Sequence, residues 1–137
     1  MATFTLGRHE RLRAEKAIAL LFASGQSFSK YPVRVVWQEV SRREDDQPPL
    51  MIMFSVSKKK FPRAVDRNRI KRLMREAYRL KKPELFAGSP EGKFYHMAMI
   101  YTATEILAFD HIQKSVHQAL ERWIKSTQPP VQSPPSS

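Results

Sequence analysis

Arg67, Asn68, Arg69, Lys71, Arg72, Arg75 and Arg79 fall within thirteen consecutive positions, and the chemistry they offer together is the gripping of phosphate oxygens. Arginine forks bind such oxygens bidentately, and ammonium groups add point charges. The wider segment Lys58–Lys82 carries twelve basic residues against two acidic ones, Asp66 and Glu76, so it holds +10 of the formal net charge of +11. The remainder of the chain is almost neutral. Charge focused in this way implies one polyanion-binding surface rather than general basicity kept for solubility. A charge run on a helix is ordinarily a solvated face, but such faces alternate signs to form i, i+4 ion pairs. Here Arg67, Lys71, Arg75 and Arg79 repeat like charges at that spacing, a self-repulsion that makes sense if an anion relieves it.

The same segment dictates how those groups are held. Ile70, Leu73, Met74, Ala77 and Tyr78 follow the i, i+3, i+4 spacing of one helical face. At about 100° per residue, Asn68, Lys71, Arg72, Arg75 and Arg79 project on the opposite side. Asp66 can cap the N-terminus or complement its dipole, and Pro83 should bar continuation, which predicts a helix over about 65–80.

Chemistry performed by the chain itself finds little support. There is no cysteine, which removes disulfide, zinc-finger and thiol-nucleophile readings. The acidic residues are scattered, apart from Glu44, Asp45 and Asp46 beside Arg43 in a polar loop, a poor metal cluster. His9, His96, His111 and His117 show no ligand or acid/base spacing. His111 and His117, six apart, point roughly 240° from each other around a helix and read as surface or core residues. No glycine-rich phosphate loop occurs.

At 137 residues the chain has the length of one domain, with a single core. Ala14, Ala17, Ile18, Leu21 and Phe22 predict an opening helix over about 13–24, with Gly25 as its stop. Residues 27–31 can form a short strand, and Val33–Val40 and the apolar run Leu50–Val56 read as further strands. Phe94–Tyr101 reads as the last strand, and Phe109, Ile112, Val116, Ala119, Leu120 and Trp123 mark a closing helix. The order αβββαβα describes an α/β (α+β) sandwich with helices packed on a small mixed sheet. The domain is expected to span 1–125, with 1–11 mobile, and the Pro/Ser-rich tail 126–137 is expected to be disordered. No run approaches a membrane span, so a cytoplasmic protein without membrane contact is expected. Phe54, Phe109 and Trp123 read as core, and periodicity alone would say the same of Phe22 and Trp37.

The segment SVSKKKFPRAVDRNRIKRLMREAYR resembles the protein subunit of bacterial ribonuclease P. The family's Ser-Val-Ser-Lys-Lys strand end, its Ala-Val and its Arg-Asn-Arg-x-Lys-Arg followed by Arg-x-Ala-Phe/Tyr-Arg are matched here by Arg67, Asn68, Arg69, Lys71, Arg72, Arg75, Ala77, Tyr78 and Arg79. The likeness extends over about 11–125, through Phe22 to Gly25 (Phe-x-x-Gly) and an aromatic further on, Trp37. Two departures stand out. This chain reads KKKFP where many members have Lys-Lys-x-Gly, and the first of two helix phenylalanines is Ile18 here.

The resemblance implies a subunit of an endoribonuclease that removes the 5′ leader from precursor tRNA. The RNA subunit and its Mg2+ ions would do the chemistry, with no catalytic residue, metal or cofactor in the protein. It implies that Arg67, Asn68, Arg69, Lys71, Arg72, Arg75 and Arg79 face ribonuclease P RNA. A cleft between the first helix and the sheet would hold the single-stranded leader of precursor tRNA through Ile18, Phe22 and Trp37, with Lys58 and Lys59 at its edge. A left-handed βαβ crossover is implied as well, against the usual right-handed rule; no obligate protein partner is. Read from the residues alone, a ribosomal-type structural RNA-binding protein remains the alternative. A helix reading the DNA major groove is disfavoured, because no helix-turn-helix spacing is present.

Overall fold

Alternation of side chains along extended segments decides how the sheet faces its helices. The computed structural model describes residues 15–40, 49–87 and 93–127. Its elements run α1 (Glu15–Ser24), β1 (Gln26–Lys30), β2 (Val33–Val40), β3 (Leu50–Val56), α2 (Ala64–Ala87), β4 (Phe94–Tyr101) and α3 (Phe109–Thr127). The strands form one sheet in the order β1-β2-β4-β3. β1 and β2 pair antiparallel, as do β2 and β4, while β3 lies parallel to β4 and reaches it through α2. The predicted α+β arrangement with a mixed sheet and a βαβ unit is therefore present.

Across the register, Val33, Tyr101 and Val56 share one row, Val35, Met99 and Phe54 the next, and Trp37, Met97 and Ile52 a third. Successive residues of a strand face opposite sides. These rows form the face that meets α2 and α3, where Ile70, Met74, Ala77 and Tyr78 of α2 pack with Ile112, Val116, Ala119, Leu120 and Trp123 of α3. The other face carries α1 over β2 and β4, with Leu21, Val36 and Ala98 at its centre. Phe54 and Trp123 are buried as expected, and Phe109 packs half-buried against the same core.

Gly25 ends α1 for a steric reason. Its N–H donates to the Leu21 carbonyl at 2.8 Å. A Cβ at this position would sit 2.5 Å from that carbonyl oxygen and 2.9 Å from the carbonyl oxygen of Trp37, both of them backbone atoms. The glycine thus lets the helix end rest on β2. Gly25→Ala is expected to cost about 1–3 kcal/mol, as overpacking does. Urea denaturation measures it, and an unchanged midpoint would contradict the close approach.

Two helix ends differ from expectation. α2 continues through Pro83, which removes one ladder bond and crowds the carbonyl a turn earlier, at about 3 kcal/mol in a helix interior. The turn leading into the proline is docked on α3: Lys81, 5% exposed, donates from Nζ to Glu121 at 2.7 Å, and His117 Nε2 donates to the Ala77 carbonyl at 2.9 Å. α3 runs two residues into the segment expected to be disordered. There Ser126 and Thr127 return their hydroxyls to the carbonyls of Trp123 and Ile124, satisfying acceptors of the last turn. The expectations for 1–11, the helix start at Arg13, His9, the acidic group Glu44–Asp46 and the tail beyond Thr127 lie outside the described residues.

The Lys81–Glu121 pair gives stability a pH dependence. Its hydrogen bond from Lys81 holds the Glu121 carboxyl below the usual carboxylate range. A lowered folded-state pKa contributes stability that is present above the unfolded value and is lost as pH falls through the folded one. Acidification below about pH 4 is therefore expected to destabilise the domain. Glu121→Gln should lower the urea midpoint at neutral pH and shrink the difference between pH 7 and pH 3. An acid limb unchanged in the variant would assign it to other carboxylates.

Candidate nucleic-acid interface

α2 buries Ile70, Met74, Ala77 and Tyr78, and this choice of face decides which cations reach solvent. Asn68, Arg69 and Arg72 are exposed together, with Lys71, Arg75 and Arg79 half-buried along the flanks. Arg69 and Arg72 form no ion pair or hydrogen bond with the described residues, so their guanidinium groups are open to an external anion. Arg79 is committed to Glu76 through two hydrogen bonds, Nε to Oε1 at 3.0 Å and a second from Nη2, and this pairing holds the Glu76 carboxyl below its ordinary range. Arg67 turns back on the chain, donating from Nη1 to the carbonyls of Phe61 and Pro62 at 2.9 and 2.8 Å. Asp66 sits in the first turn, where its charge complements the helix dipole, and pairs with Arg63 at 3.2 Å. Lys81 leaves the basic surface altogether for the contact with α3.

Just before α2, the KKKFP departure has a structural role. Ser57 Oγ accepts the N–H groups of Lys59 and Lys60, and the Ser57 carbonyl accepts the N–H of Phe61. The tight turn drives Phe61 into the core, 7% exposed, with its ring 6.0 Å from that of Tyr101. Lys58 and Lys59 stay exposed at the end of β3, beside the start of α2. Lys60 Nζ donates to the Thr102 carbonyl at 2.9 Å. A buried phenylalanine thus anchors this turn.

On the α1 side, the sheet presents a partly open apolar shelf. Ile18 is half-buried against Leu21, Val36 and Ala98, in company with Met51, Met53 and Ile100. Phe22, one turn along from Ile18, is 46% exposed, and Leu20 is 54% exposed. Ile18 therefore lies against the sheet face, and Phe22 stands exposed on α1.

Trp37 lies on the opposite face, 8% exposed, with its ring 6.0 Å from Tyr95 and 6.3 Å from Trp123, both edge-on. The expected cleft residue is thus a core residue, because its position on β2 shares the parity of Val33 and Val35. The β2 side chain facing α1 is Val36, and the shelf residues Met51, Met53 and Ile100 are additions that sequence reading missed. Period-two alternation in β2 and β3 groups them by face, but only the placement of α1 tells which face is which.

Among the described residues no group of three or more His, Cys, Asp or Glu side chains is placed to hold a metal ion. No described helix is long and apolar enough to cross a membrane. What remains is a stripe of open guanidinium groups and a half-covered apolar shelf, bordered by a lysine turn at the end of β3.

Comparison with known proteins bears on this arrangement. The pattern of the family described as Ribonuclease P matches residues 6–124. A ribonuclease P protein component from Porphyromonas gingivalis is 38% identical over 122 residues, which is 88% of this chain and 88% of that one. One from Chlorobium phaeobacteroides is 47% identical over 90 residues, covering 65% of this chain and 62% of that relative's length. Among solved structures, the Staphylococcus aureus RNase P protein superposes with a TM-score of 0.65 at 23% identity, covering 83% of this chain and 94% of that one. The Thermotoga maritima RNase P protein gives 0.63 at 23%, covering 82% and 96%. The shared fold, the match over nearly all the described residues and the basic helix with its Arg-Asn-Arg run lead to one assignment: the chain belongs to the ribonuclease P protein family.

Proposed function

We propose that this chain serves a ribonucleoprotein in which the RNA subunit, with its Mg2+ ions, cleaves the 5′ leader from precursor tRNA while the protein positions both RNAs. The observation that carries the reading is the exposure of Asn68, Arg69 and Arg72 on one side of α2, with Lys71 and Arg75 alongside. Open arginines attract phosphates strongly and with little regard to sequence, through counterion release. This face binds the ribonuclease P RNA. Arg79 and Arg67 act within the protein first, Arg79 by bracing Glu76 and Arg67 by fastening the turn before α2.

The shelf takes the single-stranded leader. Phe22 offers a stacking surface, Ile18, Met51, Met53 and Ile100 supply apolar contact, and Lys58 and Lys59 meet the backbone at its edge. Stacking contributes about 1–3 kcal/mol per base with little sequence preference, which suits a site that must accept many leaders. The reaction takes place in the cytoplasm, where precursor tRNA is made.

The absence of cysteine makes a direct test available, since one introduced thiol is unique. A photoactivatable group on Leu20→Cys in α1, in the assembled enzyme, is expected to crosslink to leader nucleotides. The same group on Lys125→Cys, at the far end of α3, is not. Equal leader crosslinking from both positions, or crosslinks from position 20 to mature tRNA alone, would overturn the placement of the leader.

A further inference from the structure

A second recess lies away from the faces just described, between the β1–β2 turn and the first turns of α3. It holds about 460 Å³ and is lined by Lys30, Tyr31, Asp110, His111, Lys114 and Ser115, among others. Its walls are pinned. Ser115, 5% exposed, donates from Oγ to the Tyr31 carbonyl at 2.9 Å, fastening the turn to α3. The Asp110 carboxylate accepts the His111 N–H at 2.9 Å, so it is engaged at the helix start. Asp110 keeps its charge, and against it Lys30 and Lys114 leave the recess net positive. Tyr31 is 59% exposed although it is a large ring, and it stands 6.4 Å from the His111 ring at a tilt of 60°.

The recess lies at the same end of the sheet as the basic turn before α2. Lys60 Nζ donates to the Thr102 carbonyl, and the Thr102 N–H donates to the Pro32 carbonyl at 2.7 Å. The β1–β2 turn, the ends of β3 and β4 and the starts of α2 and α3 therefore meet at one end of the sheet. Lysines lining one recess with an exposed aromatic are the combination that holds a nucleotide: ammonium groups for the phosphate, a ring for the base.

We infer that this recess binds one nucleotide of an RNA strand running on from the basic turn, with its base on Tyr31 and its phosphate between Lys30 and Lys114. The inference rests on the RNA-binding reading of α2 and extends the contact surface around the end of the sheet.

The test measures fluorescence anisotropy of a labelled single-stranded RNA about a dozen nucleotides long, within the range such sites span. The full chain is compared with Tyr31→Ala, Tyr31→Phe, the pair Lys30→Ala with Lys114→Ala, and the pair Arg69→Ala with Arg72→Ala. Tyr31→Ala and the lysine pair are each expected to weaken binding about five- to tenfold with unchanged thermal melts, and Tyr31→Phe to restore it. Photo-crosslinking of thiouridine-containing RNA is expected to label the peptide that carries Tyr31. If the recess variants bind like the parent chain while the arginine pair weakens, the inference is overturned and the reading of α2 stands. If the parent chain binds no RNA, both fall.

Discussion

Replacing Arg69 and Arg72 together by alanine is expected to weaken binding of ribonuclease P RNA on the order of a hundredfold near physiological salt, since hydrogen bonds to charged groups contribute about 1.5–3 kcal/mol each. The salt dependence should flatten as well, with the slope of log affinity against log salt falling by about one for each phosphate that the variant no longer neutralises. Folding is expected to be untouched, because both side chains are exposed and pair with none of the described residues. That separation of effects is what makes these two arginines the informative choice. Arg67→Ala would also remove the hydrogen bonds to the Phe61 and Pro62 carbonyls and disturb the turn that carries the lysines. Arg79→Ala would release Glu76. Affinity measured across a salt series decides the matter: an unchanged slope for the Arg69 and Arg72 pair would remove the exposed face of α2 from RNA recognition.

Trp37→Ala and Phe22→Ala are expected to part in opposite directions. Trp37 sits in an aromatic cluster with Tyr95 and Trp123, whose own rings stand 5.1 Å apart and nearly perpendicular. Removing its side chain should cost about 3–5 kcal/mol, a large share of the stability of a domain this size. Phe22, nearly half exposed, should tolerate alanine with a change under about 1 kcal/mol, as surface positions do. Its loss should instead weaken the assembled enzyme's preference for precursor over mature tRNA. Chemical denaturation and substrate binding measured on both variants test the pair. A stable Trp37→Ala protein that binds precursor poorly would return the tryptophan to the leader site.

The tryptophan shows where sequence reasoning reached its limit. β2, β3 and β4 were legible end to end, because β-branched and aromatic runs bounded by polar or proline-bearing segments have one natural reading. The basic face of α2 was legible for a similar reason: the apolar stripe at Ile70, Met74 and Ala77 leaves the arginines nowhere else to point. Which sheet face α1 would cover was not encoded in any local pattern. Both faces of β2 carry valine, so spacing could not separate Trp37 from Val36. Burial of Lys81 was hidden as well, since its partner Glu121 lies forty residues away on α3. Passage of α2 through Pro83 likewise follows from tertiary docking that outweighs a local penalty. The turn at Lys58–Phe61 could be flagged as a departure from the family pattern, yet the role of Phe61 as its anchor required the position of Tyr101.

The most direct test of the central claim is cleavage of precursor tRNA at low Mg2+, with ribonuclease P RNA alone, with this protein alone, and with both. Cleavage at the mature 5′ end only when RNA and protein are combined is the predicted result. Cleavage by the protein alone, or RNA binding that never stimulates cleavage, would contradict it.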